Sequence, residues 1–384
     1  MEIKNLKKAA SRILKALKDK ERIILYGDAD LDGVSSVIIL KEVIKSLGGE
    51  VSAVYFPDRE TEGYGINESA LDYLKNFSPA ILISLDLGIG NFKEVKLAKK
   101  FGFEVIIIDH HEILDKLPEA KIIVDPKQKG DKYPFQGLAT AGISFKLSQT
   151  LLGEKLSQRL RENFLELVAL ATISDLMPKV KDNQIFIEEG LASLKNTFRP
   201  GLRAFFSIDS LKNRGIFQEL SQKIISSLNA ADKKDHLNEA YLLLTEKEEK
   251  IAESLAENLL EKSYQKHVRI KEITDEVEER ILKKMKEKII FEGGNDWPIT
   301  NLGPVASRIC QRYQKPIFLF KIAEKQSQGT VRVPSEFNSV KLMQKCSQYL
   351  ETYGGHPLAS GFRIKNENLE KFKNCLIENL KNKK

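Results

Sequence analysis

The sequence is poor in cysteine and has no long apolar run. Only three of its 384 residues are cysteines, and the wide spacing of Cys310, Cys346 and Cys375 predicts neither a disulfide framework nor a zinc site. No apolar stretch approaches the roughly 20 residues that a membrane-spanning helix requires. The basic, amphipathic N-terminus lacks the apolar region and the small-residue cleavage site of a signal peptide. These absences make a cytoplasmic location without membrane contact the expectation.

Another absence is local, because residues 216–292 contain neither glycine nor proline. So long a stretch without helix breakers predicts one or two long helices that serve as a connector rather than as a core layer. We therefore expect three parts: a catalytic domain at 1–205, a helical connector at 206–287 and a smaller C-terminal α/β domain at 288–384.

The composition is that of an ordinary globular protein, with 42% hydrophobic and 30% charged residues. The net charge of +7 and the pI near 8.9 are mildly basic. This balance is compatible with a polyanionic partner but does not establish one.

Short apolar runs alternate with helical periods over the first 130 residues. The runs that predict strands are "RIILYG", "VSAVYF", "AILISLD", "EVIIIDHH" and "KIIVDP". Repeated βαβ units imply a mostly parallel sheet with helices on both faces. Strand and helix patterns return after residue 288, so the fold class is α/β in both domains.

The stretch "YGDADLDG" raises a question, since Asp28, Asp30 and Asp32 repel one another and contribute nothing to a core. A calcium-binding EF-hand loop begins in this way, but its twelfth position would be Ile39 instead of a glutamate. The β-branched run before Asp28 also predicts a strand where an EF-hand has a helix. The other simple interpretation is a solvated acidic turn.

Further acidic residues and histidines follow other predicted strands. Asp86 ends "AILISLD", and Asp109, His110 and His111 end "EVIIIDHH". Ligand sites of open parallel sheets lie beyond the carboxyl ends of the strands, so these groups are expected to converge. A fourth station, Asp175, ends an apolar helix that has no need of a carboxylate.

Carboxylates and imidazoles collected at one place repel unless cations lie among them. A single aspartate at a strand end is usually a helix cap, and a single histidine is usually structural. Three strand ends with the same chemistry favour a site for Mn²⁺ or Mg²⁺, with Mn²⁺ preferred where nitrogen takes part. The pattern therefore predicts a hydrolytic centre with two metal ions.

The ordered set of motifs resembles a known family. "GDADLDG", "SLDLG", "IIDHH" and "TISDLMP" are similar to motifs one to four of the DHH phosphoesterase superfamily. Four further stretches resemble RecJ-type single-strand-specific exonucleases: "RPGLRAFF", "LNAADKKDHLNEAYLLL", "GPVASRICQRYQKPIFLF" and "GTVRVPSEFNSV". "GGHPLASGF" resembles the glycine-glycine-histidine motif of the DHH-associated C-terminal domain. The resemblance covers nearly the whole chain.

The resemblance implies two ions of Mn²⁺ or Mg²⁺ and a role for each residue of the centre. The implied ligands are Asp28 and Asp30 for one ion, Asp32, His110 and Asp175 for the other, and Asp86 for both. His111 would face the phosphate as a hydrogen-bond donor or general acid. Asp109 would orient one of the histidines without itself binding a metal ion.

The same resemblance implies that the C-terminal domain grips nucleic acid across a cleft. The matching phosphate-contacting positions are Ser307, Arg308, Arg332 and His356, and Gly354 and Gly355 would let the backbone approach closely. Where RecJ-type chains have Gly-Arg, this chain has Asp232-Lys233, and Lys233 cannot offer the planar fork of arginine. The sequence ends at Lys384 without the OB-fold of bacterial RecJ proteins, so we expect a catalytic core that acts on short substrates or needs a protein partner for processivity.

The expected function is metal-dependent removal of nucleotides from single-stranded DNA, rather than RNA, with 5′→3′ polarity. One alternative is a nanoRNase-like enzyme that degrades short oligonucleotides or a nucleotide bisphosphate. Another alternative is a catalytically inactive scaffold of the replication-fork type, although a scaffold has no need of six metal ligands.

Overall fold

The computed structural model divides the chain into two compact units, Met1–Ser263 and Tyr264–Lys384. The residues that it describes are 2–113, 116–208, 217–283 and 287–381. Parts of the predicted connector, 209–216 and 284–286, lie outside the described residues. The division between the units falls within a helix, and the predicted three-part division remains a prediction.

The first unit is built on a parallel sheet of five strands in the order β2-β1-β3-β4-β5. Its strands are β1 (Ile23–Gly27), β2 (Ala53–Tyr55), β3 (Ala80–Leu85), β4 (Phe103–Ile108) and β5 (Ile122–Val124). Successive residues of a strand point to opposite faces, and both faces are covered here. In β1, Ile23 and Leu25 pack in one apolar cluster, whereas Ile24 and Tyr26 pack in the other. The predicted parallel sheet with helices on both faces is confirmed.

Helices surround and extend this sheet. Those before and between the strands are α1 (Leu6–Lys18), α2 (Leu31–Ser46), α3 (Glu68–Leu74) and α4 (Phe92–Lys100). Those after the sheet are α5 (Thr140–Leu152), α6 (Gln158–Ser174), α7 (Asp182–Leu194), α8 (Pro200–Ser207) and α9 (Phe217–Leu228). A short hairpin of β6 (Lys233–Lys234) and β7 (Leu237–Asn238) leads to α10 (Glu239–Thr245) and to the 34-residue α11 (Glu249–Leu282).

The interpretation of residues 216–292 as a connector is only partly right. Ile224, Leu228, Tyr241 and Leu243 are buried in the core of the first unit, so α9 and α10 form a core layer. The absence of glycine and proline correctly favoured helix, but it carries no information about which apolar faces are covered. Among the described helices of this stretch, α11 alone has the length expected of a connector.

The second unit contains a mixed sheet in the order β11-β12-β10-β9-β8. Its strands are β8 (Ile290–Gly294), β9 (Ile317–Ile322), β10 (Gln326–Arg332), β11 (Leu350–Gly355) and β12 (Ala359–Lys365). Its other helices are α12 (Ile299–Tyr313), α13 (Ser339–Gln344) and α14 (Leu369–Lys381). β8 and β9 pair in parallel, and the remaining neighbours are antiparallel. Separate apolar clusters form beside α11 and α12 and beside α14.

A disulfide joins Cys346 to Cys375, with 6.0 Å between their Cα atoms. The sequence spacing predicted no disulfide framework, and that expectation is wrong for this pair. Their 29-residue separation says nothing about proximity in space, which is set by the packing of α14 beside the segment after α13. Cys310 is a free, buried thiol.

Within the part of the chain that the structure describes, no helix combines the length and the apolar character needed to cross a bilayer.

Candidate metal centre

The first unit brings four strand ends level at one edge of its sheet. In the strand register, Gly27 lies opposite Leu85, Leu85 opposite Ile108, and Ile108 opposite Val124. The next residues continue the ladder, since the amides of Asp28, Asp86 and Asp109 donate to the carbonyls of Leu85, Ile108 and Val124 at 3.0–3.1 Å. Parallel pairing therefore places these three aspartates side by side.

The loop after β1 is fixed by the start of α2. Asp30 is the N-cap of this helix, and its Oδ1 accepts hydrogen bonds from the amides of Asp32 and Gly33, both at 3.1 Å. Gly33 is required here, because a Cβ atom would lie only 2.4 Å from the carbonyl oxygen of Asp28. The helix start therefore fixes the direction of Asp30 and allows Asp28 to lie close behind it.

Asp32 faces the start of another helix. Its two carboxylate oxygens accept hydrogen bonds from the amides of Thr140 and Ala141, at 2.7 and 2.8 Å, where α5 begins. The hydroxyl of Thr140 also donates to Oδ1 of Asp86 at 3.0 Å. Asp86 has a φ of 67°, a left-handed conformation that aspartate tolerates better than most residues. The N-terminus of α5 thus holds two carboxylates of the centre.

His110 is fully buried, and the hydrogen bond of its Nδ1 fixes its tautomer. Nδ1 lies 2.9 Å from the carbonyl oxygen of Leu138, which can only accept, so Nδ1 carries the proton. Nε2 then faces Asp86, Asp175 and Asp32, with carboxylate oxygens at 3.2, 3.4 and 3.7 Å. An imidazole in this tautomer and position is suited to metal ligation.

Asp109 and His111 form a tight pair. Asp109 Oδ1 lies 2.7 Å from His111 Nδ1 and also accepts from the amide of His110 at 2.8 Å, while Oδ2 accepts from the amide of Ile89 at 3.1 Å. Burial opposes both charges, but each is favoured by the other: the pKa of Asp109 falls to about 2 and the pKa of His111 rises to about 9. His111 is therefore protonated near neutral pH and can donate a hydrogen bond.

Two groups of the centre were missed from the sequence. Arg59 Nη2 pairs with Asp28 Oδ2 and, at 3.0 Å, with Asp30 Oδ2. The hydroxyl of Tyr64 donates to the carbonyl of Asp86 and lies 3.2 Å from His111 Nδ1. Both residues belong to "PDRETEGYG", and an arginine in a turn close after a strand end of an acidic site was the available signal.

The segment from Asn229 to Asn238 forms hydrogen bonds with the acidic loop, which is the loop between β1 and α2 that carries Asp28 and Asp30. Asn229 Oδ1 accepts from the amide of Leu31 at 3.1 Å, and Asn238 Nδ2 donates to the carbonyl of Ala29 at 2.9 Å. These contacts give a structural role to the "LNAADKKDHLN" stretch, which the sequence singled out without assigning a role to either asparagine.

The carboxylates of the centre repel one another. Burial, followed by the charge of Asp30, raises the pKa of Asp32 to about 7, and burial with neighbouring carboxylates raises the pKa of Asp86 and Asp175 well above the ordinary value. Burial also raises the pKa of Asp28, although Arg59 opposes that effect. Among the described residues, Oδ2 of Asp175 is buried without a hydrogen-bond partner. Such a set of donors fits divalent cations, which would remove the repulsion.

Geometry supports two adjacent ligand groups, which meet where His110 Nε2 lies 3.2 Å from Asp86 Oδ1. Asp28, Asp30 and Asp86 each offer an oxygen within 4.8 Å of the others, and Asp32, His110 and Asp175 do the same. In a further group, Asp86, Asp109 and His111 each offer an atom within 4.8 Å of the others. In that group the ion pair between Asp109 and His111 already occupies the facing atoms.

Another carboxylate, that of Asp125, follows β5 at the same sheet edge. Asp125 is fully buried, and its Oδ1 accepts from the amide of Lys127 at 2.7 Å. Burial and the charge of Asp109 raise its pKa to about 8. The sequence shows this aspartate after a strand, but a proline follows it, and it was not assigned to the site.

In the second unit, the structure brings two of the predicted substrate residues together. Arg332 Nε donates to Ser307 Oγ at 3.1 Å, and its Nη1 donates to Thr330 Oγ1 at 2.8 Å. Gly303 makes room for this guanidinium, because a Cβ there would lie 3.0 Å from Nη2. Arg308, on the same helix as Ser307, is exposed.

The glycine pair and His356 lie at the same end of this sheet as Arg332. Arg332 pairs with Ala359, whose carbonyl accepts from the amide of His356 at 2.8 Å. Gly355 has a φ of 132°, and a Cβ there would lie 2.7 Å from the carbonyl oxygen of Ala359. A Cβ at Gly354 would meet nothing within 4 Å, so the fold leaves open space there.

Lys233 lies in the first unit and is engaged in a local contact. Its ammonium group donates to both carboxylate oxygens of Glu62 at 2.9 Å and to the hydroxyl of Tyr55 at 2.8 Å. Its side chain is only 13% exposed. The predicted role of Lys233 in binding substrate therefore competes with a structural ion pair.

Two family models match the chain. Residues 22–172 match the model described as the DHH family, N-terminal domain, and residues 286–382 match the DHHA1 domain. The first match contains five of the predicted ligands together with the Asp109–His111 pair, and the second contains all the predicted substrate residues except Lys233.

Relatives and solved structures agree with these matches. The single-stranded-DNA-specific exonuclease RecJ of Bacillus subtilis is 33% identical over 385 residues, which are 98% of this chain and 48% of that protein. This chain thus spans about half the length of that relative. A structure of exonuclease RecJ bound to manganese is 26% identical with a TM-score of 0.78, and the match covers 100% of this chain and 96% of that one. RecJ of Thermus thermophilus in complex with Mn²⁺ gives a TM-score of 0.80 at 24% identity, covering 98% of this chain and 55% of that one, which supports the fold alone.

Proposed function

We propose that this chain, in which residues 22–172 match the DHH family, N-terminal domain, and residues 286–382 match the DHHA1 domain, is a metal-dependent exonuclease acting on single-stranded DNA. The observation that carries the proposal is the convergence of Asp28, Asp86 and His110 with three further aspartates at one sheet edge. The similarity to RecJ exonucleases supports the choice of substrate.

We propose that two ions of Mn²⁺ or Mg²⁺ occupy the centre. Asp28 and Asp30 would hold one ion, Asp32, His110 and Asp175 the other, and Asp86 both. When bound, two such ions neutralise the scissile phosphate and lower the pKa of water. The mixture of carboxylates with one imidazole favours Mn²⁺ over Mg²⁺. Arg59 would exchange its carboxylate partners for phosphate oxygens when the cations enter, because its planar fork suits both.

His111 would donate a proton to the oxygen that leaves phosphorus. Its ion pair with Asp109 keeps it protonated and directs Nδ1 toward that carboxylate, so Nε2 is the atom that would face the substrate. Asp109 would act through His111 as a positioning residue, which agrees with its three further hydrogen bonds from backbone amides.

The second unit would hold phosphates further along the strand. Arg332 is supported by Ser307 and Thr330, and Arg308 is exposed. With the open space at Gly354, the left-handed turn at Gly355 and His356 next to it, these groups would form a phosphate-binding surface that reads no sequence. We further propose 5′→3′ polarity and a protein partner that supplies processivity on long strands.

The test is a hydrolysis assay on single strands of DNA and of RNA, labelled at either end, at lengths of 5 and 50 nucleotides. Nucleotide release from single-stranded DNA with Mn²⁺, starting at the 5′ end, is expected. Ca²⁺ as the only divalent ion should support little turnover, because it prefers more ligands in looser geometry.

Two outcomes would contradict the proposal. Turnover confined to the 5-nucleotide substrates would indicate an oligonucleotide phosphoesterase. No turnover of any substrate with Mn²⁺ or Mg²⁺, by protein that binds those ions, would indicate an inactive scaffold.

A further inference from the structure

The end of α6 contains a backbone conformation that its residue type disfavours. The amide of Leu176 donates to the carbonyl of Ile173, and the amide of Met177 donates to the carbonyl of Thr172, at 3.2 and 3.1 Å. This pair of hydrogen bonds defines a Schellman motif, in which the residue after the cap is left-handed and is usually glycine. Here it is Leu176, with a φ of 56°.

Two other helices of the same unit end in the same motif and show the usual solutions. After α2 the left-handed position is Gly48, with a φ of 82°. After α1 it is Lys20, with a φ of 54°, an exposed residue whose charged side chain is well hydrated. Leucine has neither advantage, because its Cβ crowds the backbone and its side chain is apolar.

Packing does not compensate for this conformation. The residue is 87% exposed, the highest value among the exposed large hydrophobic residues of the described chain. Single exposed apolar residues are common, but an exposed leucine in a left-handed cap combines two unfavourable features. The neighbouring residue is Asp175, whose carboxylate faces His110 in the metal centre.

We propose that Leu176 contacts a nucleobase of the strand bound at the metal centre. This inference rests on the proposed function, and it adds a substrate contact that the charged groups cannot provide. Carboxylates, cations and Arg59 act on phosphate, whereas the unstacked base of a single strand exposes an apolar face that needs an apolar partner. A leucine offers no hydrogen bond, so the contact would position the nucleotide without selecting its sequence.

The first test compares the variant Leu176→Gly with wild type in stability and in kinetics. Glycine adopts the left-handed conformation without the steric strain of a Cβ atom, so the thermal midpoint of unfolding should be equal to or above that of wild type. The value of kcat/KM on a single-stranded oligothymidylate with Mn²⁺ should fall about tenfold, because an apolar contact is lost. Leu176→Met should retain most activity, since it keeps the apolar contact.

Lys20→Gly is the matched control, because it makes the same backbone change in the same motif away from the centre. Its thermal midpoint should respond as that of Leu176→Gly does, while kcat/KM stays at the wild-type value. A lower thermal midpoint for Leu176→Gly would indicate a structural role for the leucine and overturn the inference.

The second test asks whether the partner is a base. The oligothymidylate is compared with a strand in which the two nucleotides at the digested end are abasic. Wild type should lose activity on the abasic strand, and Leu176→Gly should lose much less, so that the two proteins become similar. If the variant is impaired equally on both strands, or on neither, the base contact is wrong. If wild type releases no nucleotides from either strand, it is the proposed function that fails.

Discussion

At the sheet edge, the buried carboxylates of several residues lie close together, and their negative charges repel one another. Seven aspartates, with Asp125 included, and two histidines of the first unit are gathered there, and burial and mutual repulsion raise the pKa of several of the carboxyl groups. Arg59 is the cation that pairs directly with Asp28 and Asp30. Divalent cations that bind at this edge would therefore neutralise the carboxylates that Arg59 neutralises in their absence.

Asp86→Asn should abolish hydrolysis while the protein stays folded. The amide keeps an oxygen that can accept from Thr140, but it removes the charge that would serve both ions. We expect the rate with Mn²⁺ to fall about a hundredfold or more.

Stability provides the control for this variant. In a chelating buffer Asp86→Asn should unfold at the same temperature as wild type or higher, because one repelling carboxylate is gone. A purified variant that retains a tenth of the wild-type rate would show that Asp86 does not bridge two ions.

Arg59→Ala should make stability depend more strongly on metal than it does in wild type. Without cations the variant leaves Asp28 buried and unpaired by arginine, which should lower the free energy of unfolding by about 2 kcal/mol. Added Mn²⁺ should recover most of this loss, because it neutralises the same carboxylates. Thermal unfolding with chelator and with Mn²⁺ measures both effects.

Arg12→Ala is the matched control for Arg59. Arg12 pairs with Glu21 and Glu104, both outside the centre, and is also mostly buried. It should lose similar stability in both buffers. If Mn²⁺ restores Arg59→Ala no more than it restores Arg12→Ala, the carboxylates paired with Arg59 do not bind metal.

At the scale of elements, the N-termini of helices orient the acidic groups of the first unit. In the second unit, a disulfide joins a helix to a neighbouring segment. The N-termini of α2 and α5 donate amide hydrogen bonds to Asp30 and Asp32, which favours their charged forms. The disulfide joins Cys375 of α14 to Cys346 in the segment before β11. That segment leads into the strand that ends with Gly354 and Gly355.

Removing the disulfide with Cys375→Ala should destabilise the second unit. Closing a loop between cysteines 29 residues apart restricts the unfolded chain and contributes about 3.6 kcal/mol. Calorimetry should show the loss in the transition of the second unit, and reducing agent should produce a similar loss in wild type.

Cys310→Ala is the control for this pair, since Cys310 is a free thiol. It should leave the response to reducing agent unchanged. Equal melting of oxidised and reduced wild-type protein, with the bond verified by mass spectrometry, would show that the link contributes nothing to stability.

On the scale of the whole molecule, hydrolysis and strand holding are assigned to different compact units. The metal centre lies in the first unit, and the groups proposed to bind further phosphates lie more than 120 residues later in the chain, in the second. A centre that acts on one phosphate would not by itself retain a strand, so under the proposed function both units would be needed for efficient turnover.

Arg332→Ala should weaken the binding of single strands without affecting metal binding. A charge-assisted contact contributes on the order of 1.5–3 kcal/mol, so the affinity should fall by roughly 10- to 150-fold. The slope of log affinity against log salt should decrease by about 0.7, as expected for one phosphate contact. Fluorescence anisotropy of a labelled oligonucleotide with Ca²⁺, across a salt series, measures both quantities.

Arg312→Ala is the control on the same unit. Arg312 is exposed and pairs with Glu278, and no phosphate role is assigned to it. Its variant should bind as wild type does. Wild-type affinity for Arg332→Ala at every salt concentration would mean that this arginine does not hold the strand.

The sequence by itself determined the sheet and the residues at its edge. Apolar runs that alternate with helical periods give a parallel sheet, and parallel strands must end at one edge. Asp28, Asp86 and Asp109 follow directly after such strands, so their neighbourhood was predictable from order alone. The cap position of Asp175 was predictable from the end of an apolar helix.

Only the tertiary structure decided which other groups meet these residues. Arg59 and Asn229 reach the acidic loop from turns, and Asn238 reaches it from the short strand β7, and the local sequence does not encode the path of these segments. Packing also places α9 and α10 in the core instead of in the predicted connector, and it brings Cys346 and Cys375 together. Periodicity indicates which face of an element is apolar, but the element that packs against that face depends on the rest of the chain. The tautomer of His110 and the charge of His111 also depend on residues that are distant in sequence.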